Sequence, residues 1–328
     1  MCPSKQNSSL DAPHLLMKEL AEFRKAYQKI LTDTDPRIKE VLTFLKGDCG
    51  KGLRPVLFFL SQGLLKRPAV NSAPIAGLLE LLHTATIIHD DIVDNGETRR
   101  GRKAAHTIWP GKSSILLGDY LFARVFSLCV ESEWPQVLPV ISDVVQRMAR
   151  GELIESLKEG VSIPSESQYF SIIEHKTGAL FEASCVLGGI VGGGSTRQIS
   201  LLKELGGCFG SMFQIQDDIL DYTGNETVTG KQVRKDLFNK SITLPFIYVY
   251  ERLSIEEQEQ YIASLQSRRS RDIHALYDSI IDRGGVSMAR HKALVIKNEA
   301  EALLEQFEDN PYKKFFMDIL EDTTMRNS

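Results

Sequence analysis

An acidic segment of six residues occurs twice in this chain of 328 residues, each time at the end of an apolar stretch. The first copy is His89-Asp90-Asp91-Ile92-Val93-Asp94, and the second is Gln216-Asp217-Asp218-Ile219-Leu220-Asp221. The preceding stretches, residues 78–89 and 209–216, have helical character. On a helix, positions four apart are separated by about 40° and lie on one face. Each copy therefore predicts a cluster of carboxylate oxygens near a helix end.

Residues that stop helices follow both copies. Asn95-Gly96 follows the first and Thr223-Gly224-Asn225 the second, and Gly and Asn tolerate the left-handed turn that closes a helix. The carboxylates then lie at the negative ends of two helix dipoles. Two carboxylates about 6 Å apart repel by roughly 3 kcal/mol at an effective dielectric near 20. The arrangement therefore predicts bound cations at both segments.

The identity of these cations follows from the ligand atoms. Carboxylate oxygens without clustered Cys or His favour a hard ion, and Mg²⁺ takes one or two protein carboxylates together with water and phosphate oxygens. A single Asp-Asp-x-x-Asp is more often a solvated helix end, since short motifs match freely. Because two copies occur here, each after an apolar helix, a functional role is favoured over a solvated helix end. Two facing clusters would hold a diphosphate through shared metal ions.

Composition excludes several classes of protein. A formal net charge of -4 with no long basic run argues against nucleic acid as the main partner, and a hydrophobic content of 42% suffices for a core. The five cysteines are odd in number and never two residues apart, so they predict reduced thiols in a cytoplasmic protein. The first 14 residues lack a signal-peptide core, and no later apolar run is expected to reach the 18 or so residues of a membrane span.

The periodicity predicts an all-α fold. Apolar residues recur at three and four from Leu15 to Leu31, and strand-like alternation is scarce throughout. Further helices are predicted from Pro36 onward and at the segments 56–65, 113–130, 135–157, 169–191 and 199–223, with breaks at 284–285 and 310–311. No change in composition marks a domain boundary. We expect one domain over residues 1–328, with residues 1–12 as a mobile tail.

Four basic segments accompany the acidic ones. A glycine-rich turn carries Lys51 and Arg54, and residues 97–103 hold four cations in five positions directly after the first acidic copy. Lys176-Thr177 interrupts an apolar helix, and a basic stretch from Lys231 follows the second copy. Each alone is more often a polar turn or a surface salt bridge, but Arg and Lys beside glycine also suit a diphosphate.

A histidine shares the stripe of the first acidic copy. His83, Thr86, Asp90 and Asp94 lie within about one face of the predicted helix. A helical His is more often a structural residue than a ligand. Its position beside the carboxylates makes His83 a candidate site residue.

In the order of its motifs, the sequence resembles the trans-polyprenyl diphosphate synthases of the medium- and long-chain branch. The resemblance runs from about Gly50 to the carboxyl end. It rests on Gly-Lys-x-Leu-Arg-Pro, the first Asp-Asp-x-x-Asp, Arg-Arg-Gly, Lys-Thr, Phe-Gln-x-Gln-Asp-Asp and Thr-Leu-Pro. Taken jointly, these motifs are very specific.

The resemblance implies an isoprenoid synthase fold, which is a large helical bundle around a central cavity, and a homodimer. It implies that the enzyme joins isopentenyl diphosphate head to tail to an allylic diphosphate such as farnesyl or geranyl diphosphate. Three Mg²⁺ ions would bridge both aspartate motifs to the allylic diphosphate. Metals and cations would stabilise the departing pyrophosphate, and the isopentenyl double bond would attack the allylic cation. The polyprenyl product would be all-trans, and it can partition to a membrane.

The resemblance also implies roles for individual residues. The metal ligands or their immediate support would be Asp90, Asp91, Asp94, Asp217, Asp218 and Asp221. Isopentenyl diphosphate would be held by Lys51, Arg54, His83 and Arg100, and the allylic diphosphate by Arg99, Lys176 and Lys231. Thr177 and Gln214 would line the allylic cation.

The chain departs from the family pattern at two positions. Gly52 stands where the family has Arg, and Ser241 stands where a Lys precedes Thr-Leu-Pro, with Lys240 displaced by one residue. Each change weakens one diphosphate contact, and Lys240 is not taken as a ligand.

Product length is expected to depend on the residues just before the first motif. Ala85 and Thr86 are small, and two residues separate Asp91 from Asp94, as in the medium- and long-chain branch. We therefore expect a product longer than geranylgeranyl diphosphate. Leu79, Phe122 and Phe126 are candidates for the floor of the product tunnel.

Three other functions are alternatives to this one. A short-chain synthase making farnesyl or geranylgeranyl diphosphate differs only in product length. A class I terpene cyclase would need an Asn/Ser/Glu-type second metal motif, which the second Asp-Asp-x-x-Asp replaces here. A non-catalytic partner subunit of a heteromeric synthase would commonly lose aspartates or cations, whereas this chain keeps both motifs.

Overall fold

The computed structural model describes residues 14–46, 52–66, 69, 71–93, 96, 98–99, 102–109, 111–157, 162–224, 234–267 and 269–325. The helices of the first half are α1 (His14–Ile30), α2 (Pro36–Lys46), α3 (Leu53–Leu64), α4 (Ala73–Val93), α5 (Ala105–Ile108), α6 (Lys112–Glu131) and α7 (Val137–Ser156). Those of the second half are α8 (Glu166–Ile173), α9 (Ala179–Val191), α10 (Thr196–Thr223), α11 (Leu244–Tyr250), α12 (Ile255–Gln266), α13 (Ser270–Asp282), α14 (Gly285–Leu304) and α15 (Pro311–Met325). A π-helical turn, Glu174–Gly178, joins α8 to α9.

The all-α prediction is confirmed. In the described residues β-strand structure is limited to an antiparallel pair of two-residue strands, β1 (Thr98–Arg99) and β2 (Arg102–Lys103). The sequence did not predict this hairpin, which forms within the basic segment after the first acidic copy.

Local signals explain most helix ends. Ser165, Ser195 and Ser254 each accept a bond from a backbone N–H three residues on, in reciprocal capping boxes that begin α8, α10 and α12. Gly284 has φ 80°, which ends α13 as expected. The expected left-handed turn at Gly224 was wrong, because its φ is -64° and α10 ends there in extended backbone.

Helix α9 is the centre of the bundle. It packs against α3, α4, α7 and α10, and nearly all of its side chains are buried. Helix α10 packs against α9 and α14, and α4 packs against α6 and α1. Aromatic rings fill the contact between α9 and α10, where Phe181 lies 5.1 Å from Phe209 and 5.3 Å from Phe213 between ring centroids. The two motif helices, α4 and α10, therefore share α9 as a neighbour.

Helix α6 corrects one expectation. By length and composition alone this 20-residue helix is apolar enough to cross a membrane, so an apolar run of span length does exist. The core helix of a soluble protein passes the same test, and one face of α6 packs on α4 through Leu117, Leu121 and Val125. Its outer face leaves Leu116 and Val130 exposed.

A cavity of about 1000 Å³ opens at the amino end of α4, between α1, α4 and α6. Ile75 and Leu78 of α4, Phe59 of α3 and Leu128 of α6 form apolar parts of its wall. Leu78 precedes Asp90 by 12 residues, or about 18 Å along the helix. The cavity is thus at the opposite end of α4 from the first aspartate motif.

The described thiols are not reactive. Cys129 and Cys185 are free and buried, and burial raises the pKa of each to about 12. Cys208 is also free, and burial raises its pKa to about 11. Such thiols stay protonated at neutral pH.

Candidate active site

The first aspartate motif forms the end of α4. Asp90 and Asp91 lie in its last turn and are half-buried, and Val93 is the last helical residue. The backbone N–H of Gly96 donates to the carbonyl of Asp91 at 3.0 Å, which closes the helix. Asp94 lies outside the described residues. The predicted position of the motif at a helix end is therefore confirmed for its first two carboxylates.

The second motif lies in the last two turns of α10, and its three carboxylates differ in environment. Asp217 is half-buried, whereas Asp218 is only 3% exposed. Asp221, one turn later, is half-buried and faces the segment that precedes α11. The three aspartates therefore lie in different environments.

A chain of hydrogen bonds links the π-helical turn to Asp218. The Thr177 hydroxyl donates to Gln214 Oε1 at 2.7 Å, and Gln214 Nε2 donates to Asp218 Oδ1 at 2.9 Å. The Tyr169 hydroxyl donates to the other oxygen of Asp218 at 2.6 Å. The structure thus brings together Thr177, Gln214 and Asp218, although Gln214 and Asp218 follow Thr177 by 37 and 41 residues along the chain.

Asp218 carries a costly buried charge. Burial raises its pKa from 3.8 to about 7, although the bonds from Tyr169 and Gln214 act in the opposite direction. Burial and the adjacent Asp218 also raise the pKa of Tyr169, so this phenol stays a donor. A carboxylate held in this way is stabilised by a nearby cation.

Asp221 organises the turn that follows the basic loop. Its Oδ1 accepts the backbone N–H of Lys235 at 2.8 Å, and its Oδ2 accepts the N–H of Asp236 at 3.2 Å. The Tyr277 hydroxyl donates to the same Oδ2 at 2.5 Å and accepts the N–H of Leu237 at 3.0 Å. With both oxygens engaged, Asp221 fits the role of immediate support, and its direct contact with a metal stays a prediction.

Lys176 lies on the π-helical turn and pairs with two glutamates of α7. Its Nζ is 2.8 Å from Glu152 Oε1 and 2.5 Å from Glu155 Oε2. Burial alone would lower the pKa of Lys176, but the two carboxylates more than offset this and raise it. Lys176 is therefore a permanent cation at this site. Single-turn π-helices often occur at functional sites.

Arg54 and His83 lie on helices that neighbour α9. The Arg54 guanidinium of α3 lies 4.7 Å from the centroid of the Phe181 ring, in the first turn of α9. Phe181 follows Thr177 of the π-helical turn by four residues. His83 is half-buried on α4, two turns before Asp90, and its carbonyl accepts a bond from Thr86.

Other predicted residues are less fully described. Lys51, Arg100 and Lys231 lie outside the described residues. Of Arg99 the structure describes only the backbone, which pairs with Arg102 across the β1–β2 hairpin. The roles of these four residues stay predictions. Lys240, which the sequence does not predict as a ligand, is exposed and has φ 59°.

Sequence reasoning missed several groups that hold the site. Tyr169 has a local signal, since it precedes Lys176 by seven residues, or two helical turns. Tyr277 lies 56 residues after Asp221 and has no local signal at all. The sequence places Glu152 and Glu155 near the end of a predicted helix and no more, because no local signal identifies the cation that they bind.

The ligand chemistry of the site fits Mg²⁺. In the described part of the chain no group of three or more His, Cys, Asp or Glu side chains could hold a metal by itself. Mg²⁺ does not require such a group, since it keeps water and phosphate ligands and uses one or two carboxylates. Asp218, which is desolvated and adjacent to Asp217, supplies hard oxygen ligands of this kind.

The fold is a helical bundle with two aspartate motifs at helix ends and cations on neighbouring helices. This combination is typical of an enzyme that acts on diphosphates. The family model described as polyprenyl synthetase matches residues 35–280. This match covers most of the chain, so the chain belongs to that family. It is a prenyltransferase.

Individual relatives agree with this assignment. The short chain isoprenyl diphosphate synthase of Methanothermobacter thermautotrophicus is 31% identical, with 90% of this chain and 94% of that protein covered. The octaprenyl diphosphate synthase of Haemophilus influenzae is 30% identical, with coverage of 86% and 82%. A polyprenyl synthase of Caulobacter crescentus, solved with calcium and isoprenyl diphosphate, superposes with a TM-score of 0.90 at 27% identity over 99% of this chain and all of that one.

Proposed function

We propose that this prenyltransferase condenses isopentenyl diphosphate head to tail with an allylic diphosphate and makes an all-trans polyprenyl diphosphate longer than geranylgeranyl. The observation that carries this proposal is the bonded series Thr177–Gln214–Asp218, which joins the predicted cation-lining residues to the second aspartate motif. Such a series supports a site in which diphosphate departure and carbocation formation are neighbouring events.

Magnesium is the cofactor that the ligands suit. Asp90, Asp91, Asp94, Asp217 and Asp218 would hold the ions, three in number by resemblance to the family, with Asp221 in support. The metal ions, when bound, neutralise the charge that develops on the departing pyrophosphate. The cations Arg99, Lys176 and Lys231 would bind the allylic diphosphate. Lys51, Arg54, His83 and Arg100 would bind isopentenyl diphosphate.

The polarity of the hydrogen bonds suits an allylic cation. Thr177 donates its proton to Gln214, so its oxygen lone pairs remain acceptors. The Gln214 amide is committed to Asp218, so its carbonyl end stays toward Thr177. Two oxygen dipoles held in this way stabilise positive charge without reorganising when it forms. Proton loss, to the pyrophosphate itself in this scheme, completes the reaction.

The long product is supported by the small residue Ala85 and by the cavity at the far end of α4. The relatives named above include both a short-chain and an octaprenyl synthase, so they do not fix the length. A short-chain product therefore remains the alternative to test. The retained Lys176, Gln214 and described aspartates disfavour a non-catalytic subunit.

We further propose a cytoplasmic homodimer that folds as one domain over residues 1–328. A single hydrophobic cluster contains residues from α1 through α15, which supports one domain. The outer face of α6, with Ile115, Leu116 and Val130 exposed, supports association with a second copy. The substrates are small diphosphates, and neither nucleic acid nor a membrane span is part of this proposal.

The test is product analysis by mass spectrometry. The purified protein is incubated with Mg²⁺, isopentenyl diphosphate and farnesyl diphosphate, and then with geranyl or dimethylallyl diphosphate as primer. A ladder that ends at one long polyprenyl diphosphate supports the proposal, and a ladder that stops at geranylgeranyl selects the short-chain alternative. No extension with any primer would instead select the partner-subunit alternative. Asp90→Ala is the control, because loss of a metal ligand should abolish the ladder.

A further inference from the structure

Two ion-pair clusters of opposite polarity join α7 to the helix segment that carries Lys176. Arg147 of α7 bonds Glu182 at 2.7 Å and Glu174 at 3.3 Å. Five and eight residues later on α7, Glu152 and Glu155 bond Lys176. Arg147 and Glu155 are separated by about 80° around the axis of α7. The π-helical turn is therefore tied to α7 on both sides of Lys176.

Gly151 makes the Lys176 contact sterically feasible. A Cβ atom at position 151 would lie 3.1 Å from Lys176 Cγ and 3.1 Å from His175 Cβ. Most Cβ atoms in proteins lie further than this from their neighbours. The absence of a Cβ at Gly151 therefore leaves room for the aliphatic stem of Lys176 to cross α7. The ammonium group then reaches Glu152, which directly follows Gly151, and Glu155, which lies about one turn further along α7.

The charges in this cluster do not cancel. One ammonium meets two carboxylates, which leaves a net charge of about -1 beside the predicted diphosphate position. The three side chains are only partly exposed, at 30% for Lys176 and 39% for each glutamate, so solvent screens the pairs incompletely. An incoming diphosphate must compete with these carboxylates for Lys176.

We propose that Glu152 and Glu155 are positioning residues that hold Lys176 in a reversible ion pair, from which the allylic diphosphate takes it. This inference rests on the proposed function, because it takes Lys176 as a diphosphate ligand. Diphosphate carries more negative charge than a carboxylate and accepts more hydrogen bonds, so it wins the competition when bound. When pyrophosphate leaves, the glutamates recapture the lysine. The pair thereby lowers diphosphate affinity and favours product release.

The test compares the wild type with the double variant Glu152→Gln/Glu155→Gln. Calorimetry measures the Kd of inorganic pyrophosphate with Mg²⁺, and steady-state assays measure KM and kcat for farnesyl diphosphate. We expect both Kd and KM to fall about five- to tenfold, as loss of a competing ion pair of ordinary strength implies, while kcat does not rise. Glu259→Gln, an exposed acid on α12 that belongs to neither ion-pair cluster, should change neither constant.

A second background separates this effect from a general change in charge. In Lys176→Gln, the same two glutamate substitutions should give no gain in pyrophosphate affinity, because no lysine remains to be released. A gain that persists in that background, or an unchanged or weaker affinity in the double variant, overturns the proposal. Failure of the proposed function has a different signature, since wild-type protein would then show no prenyl transfer whatever the pyrophosphate affinities.

Discussion

The hydroxyl of Tyr169 holds the one aspartate of the second motif that is fully buried. Its bond to Asp218 is only 2.6 Å long, and hydrogen bonds to charged groups contribute about 1.5–3 kcal/mol. Because Asp218 is a proposed Mg²⁺ ligand, Tyr169 orients a metal ligand from outside the metal site. This role involves no contact with substrate.

Tyr169→Phe should therefore raise the Mg²⁺ concentration for half-maximal activity by roughly tenfold or more. The measurement is a Mg²⁺ titration of prenyl transfer. Tyr120→Phe is the matched control, because it removes a hydroxyl that donates to Asp33, also at 2.6 Å, but between α6 and the α1–α2 connection. Equal shifts of the Mg²⁺ midpoint in both variants would argue against the positioning role.

Glu19 of α1 gives the protein a pH-dependent stability. Burial raises its pKa from 4.5 to about 7, although a hydrogen bond with Tyr312 opposes the change. Between these pH values the folded protein keeps a proton that the unfolded chain has lost. The free energy of unfolding must then fall as pH rises through this window. Since Glu19 is partly exposed, the loss is about 1–3 kcal/mol.

Glu19→Gln should remove this loss. At pH 4.5 the variant and the wild type should have similar unfolding free energies, and at pH 8 the variant should be more stable by about 1–3 kcal/mol. Urea unfolding at the two pH values provides the measurement. A constant difference between the proteins across that range would show that the Glu19 proton is not the cause.

At the scale of elements, the close pairing of α9 and α10 aligns Thr177 with Gln214. A Cβ atom at Gly206 would lie 2.7 Å from the Cα of Glu182, and one at Gly210 would lie 2.7 Å from the Cα of Gly178. Two glycines one turn apart thus let the two backbones touch. The register of this contact sets the distance between the π-helical turn and the second motif.

Gly206→Ala should separate the two helices and destabilise the fold by about 1–3 kcal/mol through overpacking. The kcat should fall by more than the loss of folded protein alone would cause, because Gln214 moves relative to Thr177. Thermal unfolding and the kcat for farnesyl diphosphate are the two readouts. Gly207→Ala is the control on the next residue, where the nearest atom to a Cβ would be Glu182 Oε1 at 3.5 Å, an ordinary van der Waals contact. That variant should be as stable as the wild type or slightly more so.

The elements themselves were largely predictable from the sequence. Apolar periodicity indicated the long helices, and the acidic motifs were correctly expected at two helix ends, since both signals are local. The π-helical turn was not predictable, because the sequence around Lys176 continues the helical pattern without a break. The partners of Lys176 and Asp221 come from distant segments, so only the packing of α7 and α13 reveals Glu155 and Tyr277.

At the scale of the whole molecule, the outer face of α6 is the interface of the proposed homodimer. Leu116 is 54% exposed and Val130 is 74% exposed on a helix whose other face packs against α4. Leu116→Asp should place a charge in the proposed dimer interface and yield a monomer in sedimentation experiments. Ile255→Asp changes an even more exposed residue, 76% exposed, on α12 and should leave the association state unaltered. A wild type that is itself monomeric would refute the interface.

Product length is expected to depend on the whole length of α4. Ala85 is fully buried five residues before Asp90, and the cavity bounded by Leu78 lies about 11 Å further along the helix. If the growing chain follows α4, a large side chain at position 85 blocks it early, and one at the cavity blocks it late. The two positions therefore predict different truncated products.

Ala85→Phe should stop elongation after few additions, whereas Leu128→Trp, on the α6 wall of the cavity, should remove only the last ones. Mass spectrometry of the products from farnesyl diphosphate distinguishes the two. Leu294→Phe, on the exposed side of α14, is the control for a general effect of added bulk and should leave the ladder intact. Products of Ala85→Phe as long as those of the wild type would show that the chain runs elsewhere. Shortening by Ala85→Phe alone would place the end of the product between Ala85 and the cavity.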